Sequence, residues 1–185
     1  GQFEHGEMAV DVATLRAEGN WGFFHELGHN HQKGAWLLPG TTETTCNLWS
    51  VYLMEQLVGV DLSEGHGALS SESRAERIDA YFQGGPDLSE WSVWTALETS
   101  LQLKEAFGWQ PFIDVFASYN ALSESDIPGS DPQRFQLWAT QFSAAVERGL
   151  GPFFVTWGFP LTEQTLQETA QWPEWTENPL LVQTL

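Results

Sequence analysis

The chain has 185 residues, with 7 basic against 25 acidic side chains and a formal net charge of −18. Such a polyanion is repelled by phosphate backbones and anionic lipid, which argues against nucleic acid or an anionic membrane surface as partner. The length suits one domain that buries roughly 70% of its unfolded surface, and the single cysteine, Cys46, rules out an internal disulfide or a thiol-rich metal site.

The first informative stretch is Trp21-Gly22-Phe23-Phe24 running into His25-Glu26-Leu27-Gly28-His29. Positions four apart share a helix face, so the imidazoles of His25 and His29 can converge on one metal ion at about 2.0–2.1 Å. Glu26, one position along, is set for the water that performs hydrolysis rather than for the metal, which is the division of labour of the H-E-x-x-H pattern. The aromatic residues before the motif predict a helix buried on most sides, and buried histidines need partners, a metal among them. The bare pattern also arises by chance, with both histidines as ordinary polar groups. His31 falls off the ligand face by about 200° of helical rotation and is left out of the metal set.

A catalytic zinc takes three protein ligands and keeps one position for water. Downstream of a loop-like segment from Gly34 to Gly40 that contains Pro39, the nearest third candidate is Glu43. A helical pattern from Thr42 to about Val58, with Thr41 or Thr42 as N-cap, puts Glu43, Asn47, Ser50 and Met54 on one face and Leu48, Val51, Tyr52 and Leu57 on others. Two antiparallel helices set Glu43 opposite the histidines, although the helix dipole alone also favours an acid in a first turn. Cys46 reads as a small buried residue, because a fourth protein ligand closes the site to water. Gly28, small between the two histidines, lets the second helix come close.

The remainder reads as helix after helix. Ser71 to Phe82 carries an apolar side of Ile78, Tyr81 and Phe82 and is broken at Gly84-Gly85-Pro86; Ser89 caps a helix to about Phe107, ended by Gly108. Phe112, Val115, Phe116 and Tyr119 form a stripe, and Asp131-Pro132 reads as N-cap and first helical position of a helix whose buried side is Phe135, Trp138, Phe142 and Val146. Phe153 to Trp157 is expected to be extended, ahead of a last helix from about Thr162 to Ala170. Leu150 to Leu185 has no lysine or arginine yet is too rich in aromatics to be disordered. Most of the 10 tryptophans fit helix packing; Trp36, in the loop between candidate ligands, is the one placed for a substrate cleft. The expected architecture is mainly α, one domain over 1–185, with zinc-site helices in 1–60 and a helical lobe in 61–185.

The run from Trp21 to Gln32, then Trp36, Thr42-Glu43 and Asn47-Leu48, resembles the enhancin-like, mucin-degrading zinc metallopeptidases, and Glu105-Ala106-Phe107-Gly108-Trp109 and Trp157-Gly158-Phe159-Pro160 are similar to that family as well. These are gluzincins, so the resemblance implies one zinc ion held by His25, His29 and Glu43, with Glu26 as general base. It implies a zinc-dependent endopeptidase acting on O-glycosylated, mucin-like proteins, secreted or at the cell surface of a bacterium. Gluzincins commonly draw an oxyanion donor from farther along, for which His66, Tyr81 and Tyr119 are candidates. Asn47, one turn after Glu43, is placed to orient that carboxylate, and Asn30, one turn after Glu26, to do likewise. The fold implied is the helical C-terminal part of a zincin-like α+β catalytic domain. The stretch before His25 is too short for the sheet-bearing subdomain that holds substrate in such enzymes, so the remaining N-terminal part of a parent protein is an expected partner.

No signal-peptide pattern and no apolar run long enough to cross a membrane is seen, so membrane insertion is not expected. Two other readings stay open: a noncatalytic binding or structural module on a metallopeptidase fold, and a zinc peptidase of unrelated specificity.

Overall fold

The computed structural model describes residues 11–182. Helix α1 (Val12–Glu18) is capped by the Asp11 carboxylate, which accepts from the amides of Ala13 and Thr14. Helix α2 (Trp21–His29) starts at Asn20, whose side chain accepts from the Phe23 amide. After the loop, α3 (Thr42–Leu53) continues into a widened π turn, Met54–Val58, closed by Gly59 at φ 82°. The sequence periodicity therefore gives the right extent but not the wider last turn. Thr41 precedes α3 without capping it, because its hydroxyl donates to the Leu38 carbonyl instead.

A short helix α4 (Leu62–Gly65) and a 3₁₀ turn lead into α5 (Ser71–Gly84), capped by Ser70. Helix α6 (Val93–Phe107) is capped by Ser92, not Ser89. Asp87 captures the Ser89 amide in a separate 3₁₀ turn, Leu88–Glu90, so the helix has to start afresh three residues later. Helix α7 spans Gln110–Asn120 and α8 spans Asp131–Val146. Ser130 takes the cap position of α8 and Asp131 lies in the first turn, where it pairs with Arg134, so the helix begins one place earlier than the Asp-Pro reading.

The expected extended piece at Phe153 to Trp157 is instead helix α9 (Gly151–Thr156), followed by α10 (Glu163–Thr169) capped by Thr162. Phe153, Phe154 and Val155 are good strand formers, but Pro152 presets the first helical turn, and burial of both phenylalanines outweighs their local preference. Among the described residues there is no strand, only a single parallel bridge between Gly149 and Glu174. The fold is thus mainly α, as expected.

The core centres on α6, whose Ala96, Leu97, Leu101 and Leu103 are buried among Phe112, Phe142, Phe153, Phe154 and Trp157. Glu98, also on α6, is fully buried and held by Arg74 and Arg77 of α5. The lysine- and arginine-free end is packed as expected, with Phe153, Phe154, Trp157, Phe159 and Trp175 all buried and Trp172 partly so.

Helices α2 and α3 lie antiparallel. Ser50 donates to the Trp21 carbonyl at one end of the pair, and His25 meets Asn47 and Glu43 toward the other. A Cβ at Gly28 would stand 2.8 Å from the Cys46 Cα, a separation that side chains do not tolerate, so the two backbones approach this closely only because position 28 is glycine. The expectation that α2 is buried on most sides fails. Phe24 and Gly28 are buried, but Gly22, Glu26 and Leu27 on the other side face solvent.

Candidate metal centre

One turn of α2 and the first turn of α3 supply the predicted residues. His25 Nε2 stands 2.9 Å from Glu43 Oε2, and His29 Nε2 stands 3.8 Å from the same oxygen. Tetrahedral zinc ligands at 2.0–2.1 Å from the metal are themselves about 3.3–3.4 Å apart, so these separations bracket what one ion requires. The set is open on one side: the Glu43 side chain is 52% exposed and that of His29 35%. An open set leaves room for water and substrate, unlike a closed structural site.

Behind each imidazole the other ring nitrogen is engaged. His25 Nδ1 lies 2.8 Å from Asn47 Oδ1, which also accepts from the Trp21 indole at 3.2 Å. His29 Nδ1 lies 3.1 Å from Gln32 Oε1. A neutral imidazole has one donor and one acceptor, so with Nδ1 donating, each Nε2 presents a bare lone pair. His25 Nε2 and Glu43 Oε2 lie at hydrogen-bonding distance, a separation that a proton or a metal cation can bridge. The donor set is thus chemically suited to zinc, which favours nitrogen and oxygen ligands in this geometry.

Cys46 comes within metal-ligating distance of the histidines, its Sγ 3.2 Å from His29. That contact is to Nδ1, on the far edge of the ring from Nε2, so the thiol backs the imidazole and does not share an ion with both Nε2 atoms. Burial, reinforced by the charges of Glu43 and Glu26, pushes its pKa up to about 11, which keeps it a neutral thiol. Glu26 is solvent-exposed on the turn that carries both histidines.

The remaining candidates fall in different places. Asn47 contacts His25 and Trp21 rather than Glu43, so it orients an imidazole and not the carboxylate. The Asn30 amide donates to the Glu26 backbone carbonyl at 3.3 Å, which ties off the end of α2 and does not hold the Glu26 side chain. Trp36 is 4% exposed, packed against Phe116 and Tyr119 in the core, because the loop folds inward at Trp36 and Leu38; it has no face to offer a substrate.

Tyr119 is likewise in the core. The Tyr81 hydroxyl donates to the Trp157 carbonyl and accepts from the Trp91 indole, so both of its roles are taken. His66 alone reaches toward the centre: it packs between Trp94 and Trp21, the tryptophan that bonds Asn47. Its Nδ1 accepts from the Ala68 amide, so the neutral ring carries its proton on Nε2.

Two features escaped the sequence reading. Gln32 touches His29 from three residues on, but it lies past the end of α2, where the helical period that picked out the histidines no longer applies. An apolar cleft of about 250 Å³ runs between α3 and α7, walled by Trp49, Tyr52, Trp109, Phe112 and Phe116. Trp49 stacks on Phe116, with exposed His31 against it and Gly28 at its back, so Trp49 and Trp109 are the tryptophans that wall this cleft, and Trp36 is not among them. The helical spacing of Trp49 had made it look like ordinary core.

No helix among the described residues is long and apolar enough to cross a membrane. Sequence comparison finds TRPM8 channel-associated factor 2 of Bos taurus, 48% identical over 172 residues, and that of Homo sapiens, 48% identical over 174 residues. These alignments cover 92% and 94% of this chain but 19% of either relative, so the chain spans about a fifth of their length. A crystal structure of a functionally unknown conserved protein from Bacillus anthracis superposes with a TM-score of 0.75 at 28% identity, over 88% of this chain and 33% of that one. The family profile described as Peptidase M60, enhancin and enhancin-like matches residues 3–158. By that match over most of its length, the chain belongs to the enhancin and enhancin-like M60 peptidase family.

Proposed function

We propose that this chain carries the metal-binding helices of a zinc-dependent endopeptidase that hydrolyses peptide bonds in O-glycosylated, mucin-like proteins. The observation that carries the reading is the convergence of His25 Nε2, His29 Nε2 and Glu43 Oε2 around a point open to solvent. Membership of a peptidase family supports hydrolysis as the chemistry.

Bound zinc supplies Lewis acidity, which polarises the scissile carbonyl and acidifies the attacking water. Glu26, exposed on the ligand turn, takes the proton of that water and delivers it to the leaving amine. His66, with its proton on Nε2 and its ring packed on Trp21, is the best placed of the three oxyanion candidates. A secreted or cell-surface location goes with such a substrate. As to source, the vertebrate relatives at 48% identity outweigh the bacterial structure at 28%.

A second reading rests on the names of those relatives: a module of a protein that associates with an ion channel, with or without hydrolysis. The two readings separate on Glu26. In the full-length parent, cleavage of a mucin-type glycoprotein is expected to fall by a factor of 10² or more on Glu26→Ala, with the deglycosylated form cut more slowly than the native one. Equal cutting of both forms removes the mucin specificity. Absence of cleavage by the zinc-loaded wild type, with channel association intact in wild type and Glu26→Ala alike, selects the noncatalytic module. At the metal, close to one zinc per chain is expected, falling sharply in His29→Ala and Glu43→Ala.

A further inference from the structure

The apolar cleft between α3 and α7 has two unlike ends. Leu48, Trp49 and Tyr52 wall it on one side and Phe112, Ile113 and Phe116 on the other, and none of its lining residues is charged. The two helices run antiparallel along it, since Tyr52 meets Trp109 just before α7 and Trp49 meets Phe116 farther along that helix. At the Trp109 end charge is balanced. Glu55 accepts from the Trp109 indole at 2.8 Å and pairs with Lys104, whose ammonium lies 5.6 Å from the centre of that indole. At the other end Asn120 lines the cleft, and Lys33 donates to its side-chain oxygen. In a chain with 25 acidic side chains, no carboxylate among the described residues pairs with this lysine. His31, exposed and 4.9 Å from Trp49, stands at the same end.

We propose that this cleft binds a single-chain carboxylic acid as its anion, with the acyl chain between the aromatic walls and the carboxylate against Lys33 and the Asn120 amide. A cavity of roughly 150 Å³ takes up one benzene ring. The cleft, at about 250 Å³, therefore has room for roughly eight to ten carbon atoms. Its walls cannot offset the desolvation of a second polar group, so the polar atoms of the ligand are confined to the Lys33 end. There the ammonium meets the carboxylate, and the Asn120 nitrogen donates beside it while its oxygen stays on Lys33. Exposed Ile113 and Ala117 leave the long side open for entry. The net charge of −18 repels anions at long range, but salt screens that field over about 8 Å and the adjacent lysine decides the local sign. Trp49 and Tyr52 lie on the opposite face of α3 from Glu43 and Asn47, so the cleft stands apart from the metal centre.

The test is calorimetric titration of the whole chain in about 0.15 M salt, with octanoate, hexanoate, octanol and octylammonium as probes. Octanoate is expected to saturate one site per chain, and hexanoate to bind about tenfold more weakly because two fewer methylenes are buried. Octanol and octylammonium, which lack the anion, bind more weakly than octanoate. Lys33→Glu, at an exposed position, lowers octanoate affinity about tenfold and leaves octanol unchanged. Ala117→Trp fills the cleft from an exposed helix position and abolishes binding of both, while the helical circular dichroism stays that of wild type.

Absence of saturable octanoate binding at millimolar concentration overturns the proposal, and needs no variant to fold. Octanol or octylammonium binding the wild type as tightly as octanoate removes the anionic end and overturns it too, as does octanoate binding that survives in folded Ala117→Trp. A wild-type dimer in sedimentation that Ala117→Trp converts to monomer gives the cleft to a second copy of this chain instead.

Discussion

Tyr119, part of the apolar stripe of α7 and one of the three oxyanion candidates, lies in the core. Its hydroxyl is buried between Trp36 and Trp138 with no protein partner among the described residues. Burial raises its pKa well above the ordinary 10.0. A group whose pKa rises on folding stabilises the fold below its unfolded value and loses that contribution as pH climbs through its folded one. The expected loss therefore begins above pH 10. Tyr119→Phe removes a buried hydroxyl that makes no bond, so stability at neutral pH should hold or rise by about 1 kcal/mol, and the alkaline limb of a Tm-against-pH curve should flatten. Tyr81, also raised chiefly by burial, leaves a residual slope. A loss of more than about 1 kcal/mol in the variant at neutral pH would mean that the hydroxyl is satisfied after all.

At the level of elements, the convergence of His25, His29 and Glu43 was legible because its geometry is helical arithmetic. His25, Glu26 and His29 are fixed relative to one another by one turn, and Glu43 by the first turn of the next helix. What lay behind them was not legible, since Gln32 sits in the turn after α2 and Trp21 reaches the site across a helix crossing, neither of which a helical period records. The misread strand at Phe153 and the misplaced cap at Ser89 have the same origin, a local preference overruled by packing or by a stronger neighbouring cap.

Gly28 tests the crossing itself. Alanine there gains up to about 1 kcal/mol of helix propensity, but its Cβ meets the Cys46 Cα at 2.8 Å and Trp49 Cδ1 at 3.1 Å, and overpacking against backbone costs about 1–3 kcal/mol. The helices have to part, which draws Glu43 away from the histidines. Gly28→Ala should therefore lower Tm and weaken zinc binding at least tenfold. Gly22→Ala, on the exposed side of the same helix with nothing nearer than 3.5 Å, should do neither. Equal behaviour of the two variants would show that the close approach is not what sets the site.

For the whole molecule, the question is what holds a chain of net charge −18 in one compact helical lobe. Part of the answer is that three of its 7 basic residues are drawn into ion pairs that join different helices: Arg74 and Arg77 converge on fully buried Glu98, and Lys104 pairs with Glu55. Glu98 accepts from Arg74 at 3.0 Å and from Arg77, and Arg77 also donates to the Ala68 carbonyl, so one carboxylate ties α5 and the turn before it to the core helix α6. Exposed pairs contribute little in a polyanion, and salt weakens them further. A buried carboxylate behaves differently, because removing it leaves the Arg77 guanidinium partly buried without its anion and Arg74 with Glu105 alone. Glu98→Ala is expected to cost about 3–5 kcal/mol, read as a lower urea midpoint at unchanged m-value. Replacing Glu98, Arg74 and Arg77 together with Leu, Met and Met should recover most of that loss, since the apolar triad leaves no charge stranded. Helix α6 meets the ligand helix α3 at a different place, where the Thr44 hydroxyl donates to the Val93 carbonyl. Zinc affinity of folded Glu98→Ala should then match wild type. A weakened site in that variant would instead mean that strain at α5 travels through α6 into the metal centre.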